Sequence, residues 1–259
     1  MGTLPLMLGV TACYTISSLS DKYAVAKAKF SKDEFTFLMC CSMSVFIALT
    51  LPFQRIYFSL TWQSFVGIAL IAVCKMLEFQ LSAVILKELS AFELKAWLGL
   101  TLFVSYFSDV FWGAQLQISK LLCICAAVSG LVMIAKSEKE EKINYRAIAI
   151  PLIFYLASKF GYGLVIRSFE SYASSVMLLV PALIAVTLIF LPRVKFSVFA
   201  EKSVGTAKVV LARIPNSAGM IMENAVISIS LTDYTFIQPM ILVSLFVIGL
   251  IRRECCSRL

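Results

Sequence analysis

The sequence predicts an all-α polytopic membrane protein of nine transmembrane helices, arranged as two inverted repeats of five helices with the second truncated to four. Three observations carry this expectation. Of 259 residues, 60% are hydrophobic and only 15% charged, with a mean hydropathy of +0.91, well above ordinary globular usage. The apolar residues fall into nine runs near the roughly 17 to 25 residues that cross a hydrocarbon core of about 30 Å. Five runs precede a charged stretch and four follow it, and short motifs recur in matching order on both sides.

The runs cover residues 3–20, 34–53, 63–86, 91–112, 116–135, 147–167, 171–192, 206–230 and 234–251. They lack the alternating pattern of barrel strands, and backbone inside a bilayer must be hydrogen-bonded internally, so each is expected to be a helix. The first run has no Lys or Arg before it and is read as a retained helix rather than a cleaved signal peptide. It carries a polar stripe of Tyr14, Ser17, Ser18 and Asp21. The fourth carries Trp97, Thr101, Ser105, Ser108, Asp109 and Trp112. Such faces point away from lipid, toward a cavity or toward neighbouring helices. Trp62 and Trp112 lie near run ends, as interfacial anchors do.

Residues 136–146, Lys-Ser-Glu-Lys-Glu-Glu-Lys-Ile-Asn-Tyr-Arg, form the only long charged run. They read as a solvated linker between a first repeat, 1–135, and an incomplete second one, 147–259. Leu89-Ser90-Ala91-Phe92 leads to Trp97 as Leu231-Thr232-Asp233-Tyr234 leads to Pro239, and Leu51-Pro52-Phe53 is echoed by Leu191-Pro192-Arg193. A repeat of five helices starts its second copy from the opposite face of the bilayer, which is how inverted symmetry arises in carriers.

The net charge of +8 would fit a nucleic-acid binder only if the basic residues were clustered on one soluble face, and they are not. Seventeen Lys and Arg sit in the odd-numbered connectors and the tail, against three in the even-numbered ones, namely Arg55, Lys120 and Arg167. The positive-inside rule then places the odd connectors in the cytoplasm and the N-terminus outside. Of eight Cys, six fall inside the runs as small apolar fillers. No disulfide framework and no zinc site is expected, because the chain has no His. Cys255-Cys256 is either an acylation site near the membrane or an inert tail.

Ionisable residues inside the runs carry the chemistry, since each costs on the order of 2.5 to 3.5 kcal/mol at a helix centre. Lys75 and Glu78 are three apart and share a helix face, with Ser82 on the same side. They form either a self-compensating pair or the lining of a cavity in which a substrate or proton replaces one partner. Tyr155, Lys159 and Tyr162 place a cation between two rings on one face. Lys159 suits a substrate carboxylate or phosphate; otherwise it pairs with Glu223 or Glu78. Pro215-Asn216-Ser217 before Glu223-Asn224 reads as a kink followed by a buried carboxylate and amide. Glu223 is the best single position for proton or cation coupling, with Arg213 as its candidate partner and Asn224 as a site residue or interhelical glue. Trp97 and Gln238, the latter beside Pro239, are added from their matching places in the repeat, and Tyr14 from its stripe.

The chain resembles a ten-helix transporter of the drug/metabolite transporter superfamily, built from two EamA-type repeats. The resemblance rests on polar first helices ending in a basic residue (Tyr14 to Lys22, Lys159 to Arg167), the turn-and-fourth-helix motifs above, and acidic residues closing the fourth helix (Asp109, Glu254). It covers residues 3–254. It implies a tenth helix that is absent here, which is read as a truncated reading frame, and a cytoplasmic N-terminus, against the charge bias. It also implies substrates such as amino acids, small organic cations or related metabolites.

The expected function is secondary, non-ATP transport of a small polar or amphipathic metabolite by alternating access around a central cavity, with proton or cation coupling. No P-loop spacing supports ATP use, and without His there is no Ser-His-Asp or Cys-His arrangement, so no enzyme activity is expected. Two other readings stand beside it: a truncated, inactive or accessory membrane protein of the same fold, and a membrane-embedded lipid-modifying enzyme. The expected partners are a small-molecule substrate and the lipid bilayer, with a homodimer open and no nucleic acid. No cofactor or metal is expected, and the expected location is a bacterial cytoplasmic (inner) membrane.

Overall fold

A computed structural model describes residues 3–26, 28–54, 56–89, 91–113, 115–137 and 145–257. Lys27, Arg55, Ser90, residues 138–144 of the charged stretch and Arg258 lie outside the described residues, as do the side chains of Lys22, Lys95, Glu254, Cys255 and Cys256.

Among the described residues the chain is all helix, with one isolated antiparallel bridge between Phe58 and Ala173. The helices are α1 (Leu4–Ala26), α2 (Lys32–Ala48), α3 (Trp62–Glu88), α4 (Ala91–Gly99), α5 (Thr101–Phe111), α6 (Ile118–Ser137), α7 (Tyr145–Phe169), α8 (Ser175–Phe190), α9 (Ser197–Glu201), α10 (Ser203–Ile229) and α11 (Leu231–Ser257). Every expected run coincides with a helix. The fourth is divided at Leu100 into α4 and α5, and α11 continues to Ser257, beyond the expected end at 251.

Local sequence explains the helix ends. Ser31 opens α2 with a capping box: its hydroxyl accepts from Glu34 N–H, and the Glu34 carboxylate accepts from Ser31 N–H at 2.9 Å. Both Leu-Pro echoes become single turns of 3₁₀ helix, one two residues beyond α2 and one directly after α8, with Pro in the first turn where its missing N–H costs nothing. Single extended residues, Leu89 and Ser230, stop α3 and α10 before the next helix begins. Pro215, where a kink is expected, lies inside α10, whose helical assignment continues through it.

Three helical stretches are long and apolar enough to cross a membrane: Trp62–Glu88, Ile148–Phe169 and Ser175–Arg193, with mean hydropathies of 1.9, 1.6 and 2.5. Leu4–Ser18, Trp97–Phe111 and Ile118–Gly130 are shorter apolar stretches. At several positions burial departs from that of a water-soluble fold. Lys75, Arg213 and Glu223 have no exposed surface, whereas Phe53 and Phe111 are 89% exposed. Water would favour the reverse; a hydrocarbon surround favours this arrangement.

The main core is shared by almost every helix. Packing is pairwise: α1 lies on α10, α3 on α7, α2 on α8, α10 on α2, α3 on α8, and α4 and α5 on α11. The α1/α10 crossing depends on Gly219, where a Cβ would stand 2.9 Å from Tyr14 Cε1 and 3.0 Å from Cys13 Cβ. Gly219→Ala is expected to displace the Tyr14 ring and cost about 1–3 kcal/mol by overpacking, read as thermal unfolding in detergent. Gly130→Ala, at a position with open space around it, is the neutral control.

Candidate functional site

The centre of the bundle holds four ionisable side chains in a row of alternating sign. On α3, the i,i+3 spacing brings Lys75 Nζ to 2.8 Å from Glu78 Oε2. From α7, Lys159 Nζ lies 3.0 Å from the other Glu78 oxygen and 3.5 Å from Glu223 Oε1 on α10. The Tyr14 hydroxyl on α1 donates to Glu223 Oε2 and ends the row. Two cations and two carboxylates sum to zero, the condition under which charges survive burial.

Aromatic rings and amides enclose the row. Lys75 Nζ sits 3.7 Å from the Tyr162 ring centroid and 6.0 Å from that of Phe79. The Tyr162 hydroxyl donates to Asn224 Oδ1 at 2.6 Å. Tyr234 on α11 donates to the backbone carbonyl of Lys159 at 2.9 Å, an approach that Gly163 permits, since a Cβ there would stand 2.8 Å from the Tyr234 ring.

Beside the row lies a small cavity of about 80 Å³, partly open to the outside. Of the residues expected at the site, Tyr14, Glu78, Tyr155, Lys159 and Gln238 form its wall. Lys75, Tyr162, Glu223 and Asn224 stand behind that wall as the support of the row. Trp97 is half-buried on α4 and packs into the core, while Leu94 is the α4 residue on the wall.

The structure corrects one expected pairing. Arg213 does not reach Glu223: ten residues apart on one helix they are separated by roughly 15 Å along the axis. Arg213 instead pairs with Asp21 of α1, and its Nε donates to the Val209 carbonyl at 3.3 Å. Asp21 and Asn216 also line the cavity. Asp21 was visible as part of the α1 stripe and Arg213 as an intramembrane charge; their meeting depends on the α1/α10 register, which no local pattern encodes.

The wall extends from the row toward the ends of α1 and α3 at Ala26 and Glu88, the bundle end from which connectors 27–31, 89–90 and 191–202 emerge. The opposite end is bridged by hydrogen bonds between its connectors. Ser59 N–H donates to Tyr172 O at 2.8 Å and Ser174 N–H to Tyr57 O at 2.9 Å, joining the α2–α3 connector to the α7–α8 connector. There too, Asp109 at the end of α5 accepts from Arg167 at 2.6 Å, from Thr232 N–H at 2.8 Å and from the Thr232 hydroxyl at 2.6 Å. The Arg167 guanidinium lies 5.2 Å from the Trp112 ring centroid.

The six described cysteines are free. No protein-family model matches this chain, and no curated protein matches it.

Proposed function

We propose that the chain is a secondary carrier that moves a small polar or amphipathic solute by alternating access. One observation carries this reading: a charge-neutral row of four ionisable groups, contributed by three helices and flanked by an open cavity, sits amid helices whose outer surface is apolar. Buried charge at this cost marks a solute or ion pathway by default.

The packing supports two repeats related by exchange. Swapping α1 with α7, α2 with α8, α3 with α10, and α4–α5 with α11 turns the α1/α10 pair into α7/α3 and the α10/α2 pair into α3/α8, and it returns α2/α8 and α4–α5/α11 to themselves, whereas the α2/α3 and α1/α11 pairs have no comparably packed counterparts. The turns after α2 and α8 match in backbone, with Thr50 at φ −89°, ψ −11° and Phe190 at φ −89°, ψ −14°. This fits nine membrane spans in two EamA-like repeats, with α9 as a connector. The cavity would then lie between the halves, with α1, α2, α3 and α4 on one side and α7, α10 and α11 on the other.

The cavity wall leads to the end of the bundle that bears the basic connectors. Under the positive-inside rule that end is cytoplasmic, so the conformation faces inward, in a bacterial cytoplasmic membrane. The row also favours transport over lipid modification: the two carboxylates lie inside the bundle and are each matched by a lysine, rather than gathered at one interface.

Purified protein in liposomes, given a panel of amino acids, organic amines and related metabolites under an imposed proton gradient, is expected to accumulate at least one solute. Lys159→Met is expected to abolish accumulation. Protein that turns over a lipid substrate and moves no solute would overturn the reading.

A further inference from the structure

The bridged end of the bundle holds a carboxylate with an unusual set of partners. Asp109 belongs to α5, in the first half of the chain. Its donors belong to the second half: Arg167 at the end of α7, and Ser230 Oγ, Leu231 N–H, Thr232 N–H and Thr232 Oγ1 at the start of α11. The first-turn N–H groups of any helix lack intrahelical acceptors and carry the positive end of the helix dipole. A carboxylate from another helix therefore caps α11 across the boundary between the halves.

The start of α11 also has a cap of its own, because Asp233 N–H donates to Ser230 Oγ at 3.1 Å. Two acceptors thus serve one helix end, one local and one borrowed. If Asp109 withdraws, Ser230 still holds the first turn, and the remaining N–H groups exchange a carboxylate for water. Asp109 and Arg167 are not fully enclosed, their side chains being 11% and 26% exposed, so water can reach them without prior unpacking.

We propose that Asp109 is a latch: its bonds to Arg167 and to the start of α11 hold the far end of the cavity shut, and their release opens the cavity to the opposite side of the membrane. This deepens the carrier reading and rests on it.

The test uses the full chain with all eight cysteines replaced by Ala and one cysteine returned to the cavity wall by Ser82→Cys, reconstituted in one orientation. A membrane-impermeant maleimide is applied from either side. Without further change, labelling is expected only from the side of the basic connectors. Asp109→Asn is expected to raise labelling from the sealed side at least about tenfold, the effect of one charge-assisted hydrogen bond on a two-state equilibrium. Thr232→Val, which removes a single donor and leaves the carboxylate, is expected to raise it by a smaller factor, and it answers the question if Asp109→Asn fails to fold. Unchanged sealed-side labelling in folded variants, with labelling from the basic side intact, overturns the latch and leaves the carrier reading standing. A Ser82→Cys chain labelled from neither side overturns the carrier reading, and the latch with it.

Discussion

Glu78→Gln is expected to lower stability by about 3–5 kcal/mol, the cost of removing one partner from a buried ion pair. Glu78 alone separates Lys75 from Lys159, accepting from the first at 2.8 Å and from the second at 3.0 Å. An amide in its place would leave two ammonium groups facing one neutral oxygen, and Lys75 would keep only its ring contacts to Tyr162 and Phe79. The loss comes from net charge, so it is expected to be reversed by restoring neutrality. In Lys75→Met/Glu78→Met the remaining Lys159 and Glu223 still balance, and most of the stability should return. Thermal unfolding in detergent, compared across the single, double and unaltered chains, measures both effects. A Glu78→Gln chain within about 1 kcal/mol of the parent would mean that the row is not held together by charge.

The parts of this site that were legible in the sequence are those that depend on one helix. Lys75 and Glu78 pair because they are three residues apart, and Tyr155 and Lys159 reach the same wall because they are four apart. Lys159 was read as either a cavity cation or a partner of Glu78 and Glu223; it lines the cavity and contacts both. The parts that were not legible depend on how helices slide against one another. Tyr14 meets Glu223 and Asp21 meets Arg213 only because α1 and α10 run antiparallel in one register, fixed by close contacts such as Gly219 on Tyr14. Trp97 is indicated by its place in the repeat rather than by charge, and such a match gives no direction for a side chain. The split at Leu100 had one local signal, Gly99 at the end of α4, which lowers helix propensity without fixing where a helix divides. Asp109 was legible as an acidic helix end, but its capping of α11 required the fold.

Glu223→Gln is expected to uncouple transport from pH while leaving solute exchange in place. Lys159 is shared between two carboxylates that are not equally supported. Glu78 keeps Lys75 at 2.8 Å when Lys159 moves, whereas Glu223 keeps only the Tyr14 hydroxyl. Lys159 is the one cation on the cavity wall among the described residues, so an anionic group of an arriving solute draws it away from Glu223. A buried carboxylate left with a single neutral donor is costly to keep charged, and taking up a proton relieves that cost. In the proposed carrier, solute arrival and proton uptake at this position would thereby be linked, and the same linkage would run in reverse when the solute leaves. Gln holds this position permanently in the neutral form and, like Glu78→Gln, leaves the row with one net positive charge, so thermal unfolding is measured alongside transport to confirm a folded chain. In proteoliposomes the unaltered chain should respond to an imposed pH gradient, and Glu223→Gln should catalyse solute counterflow at a similar rate on both sides of that gradient. Tyr14→Phe should shift the pH response without removing it, since the carboxylate remains. A Glu223→Gln chain that transports with an intact pH response would exclude this carboxylate from coupling and move the role to Glu78 or Asp21, the two acidic residues on the wall itself.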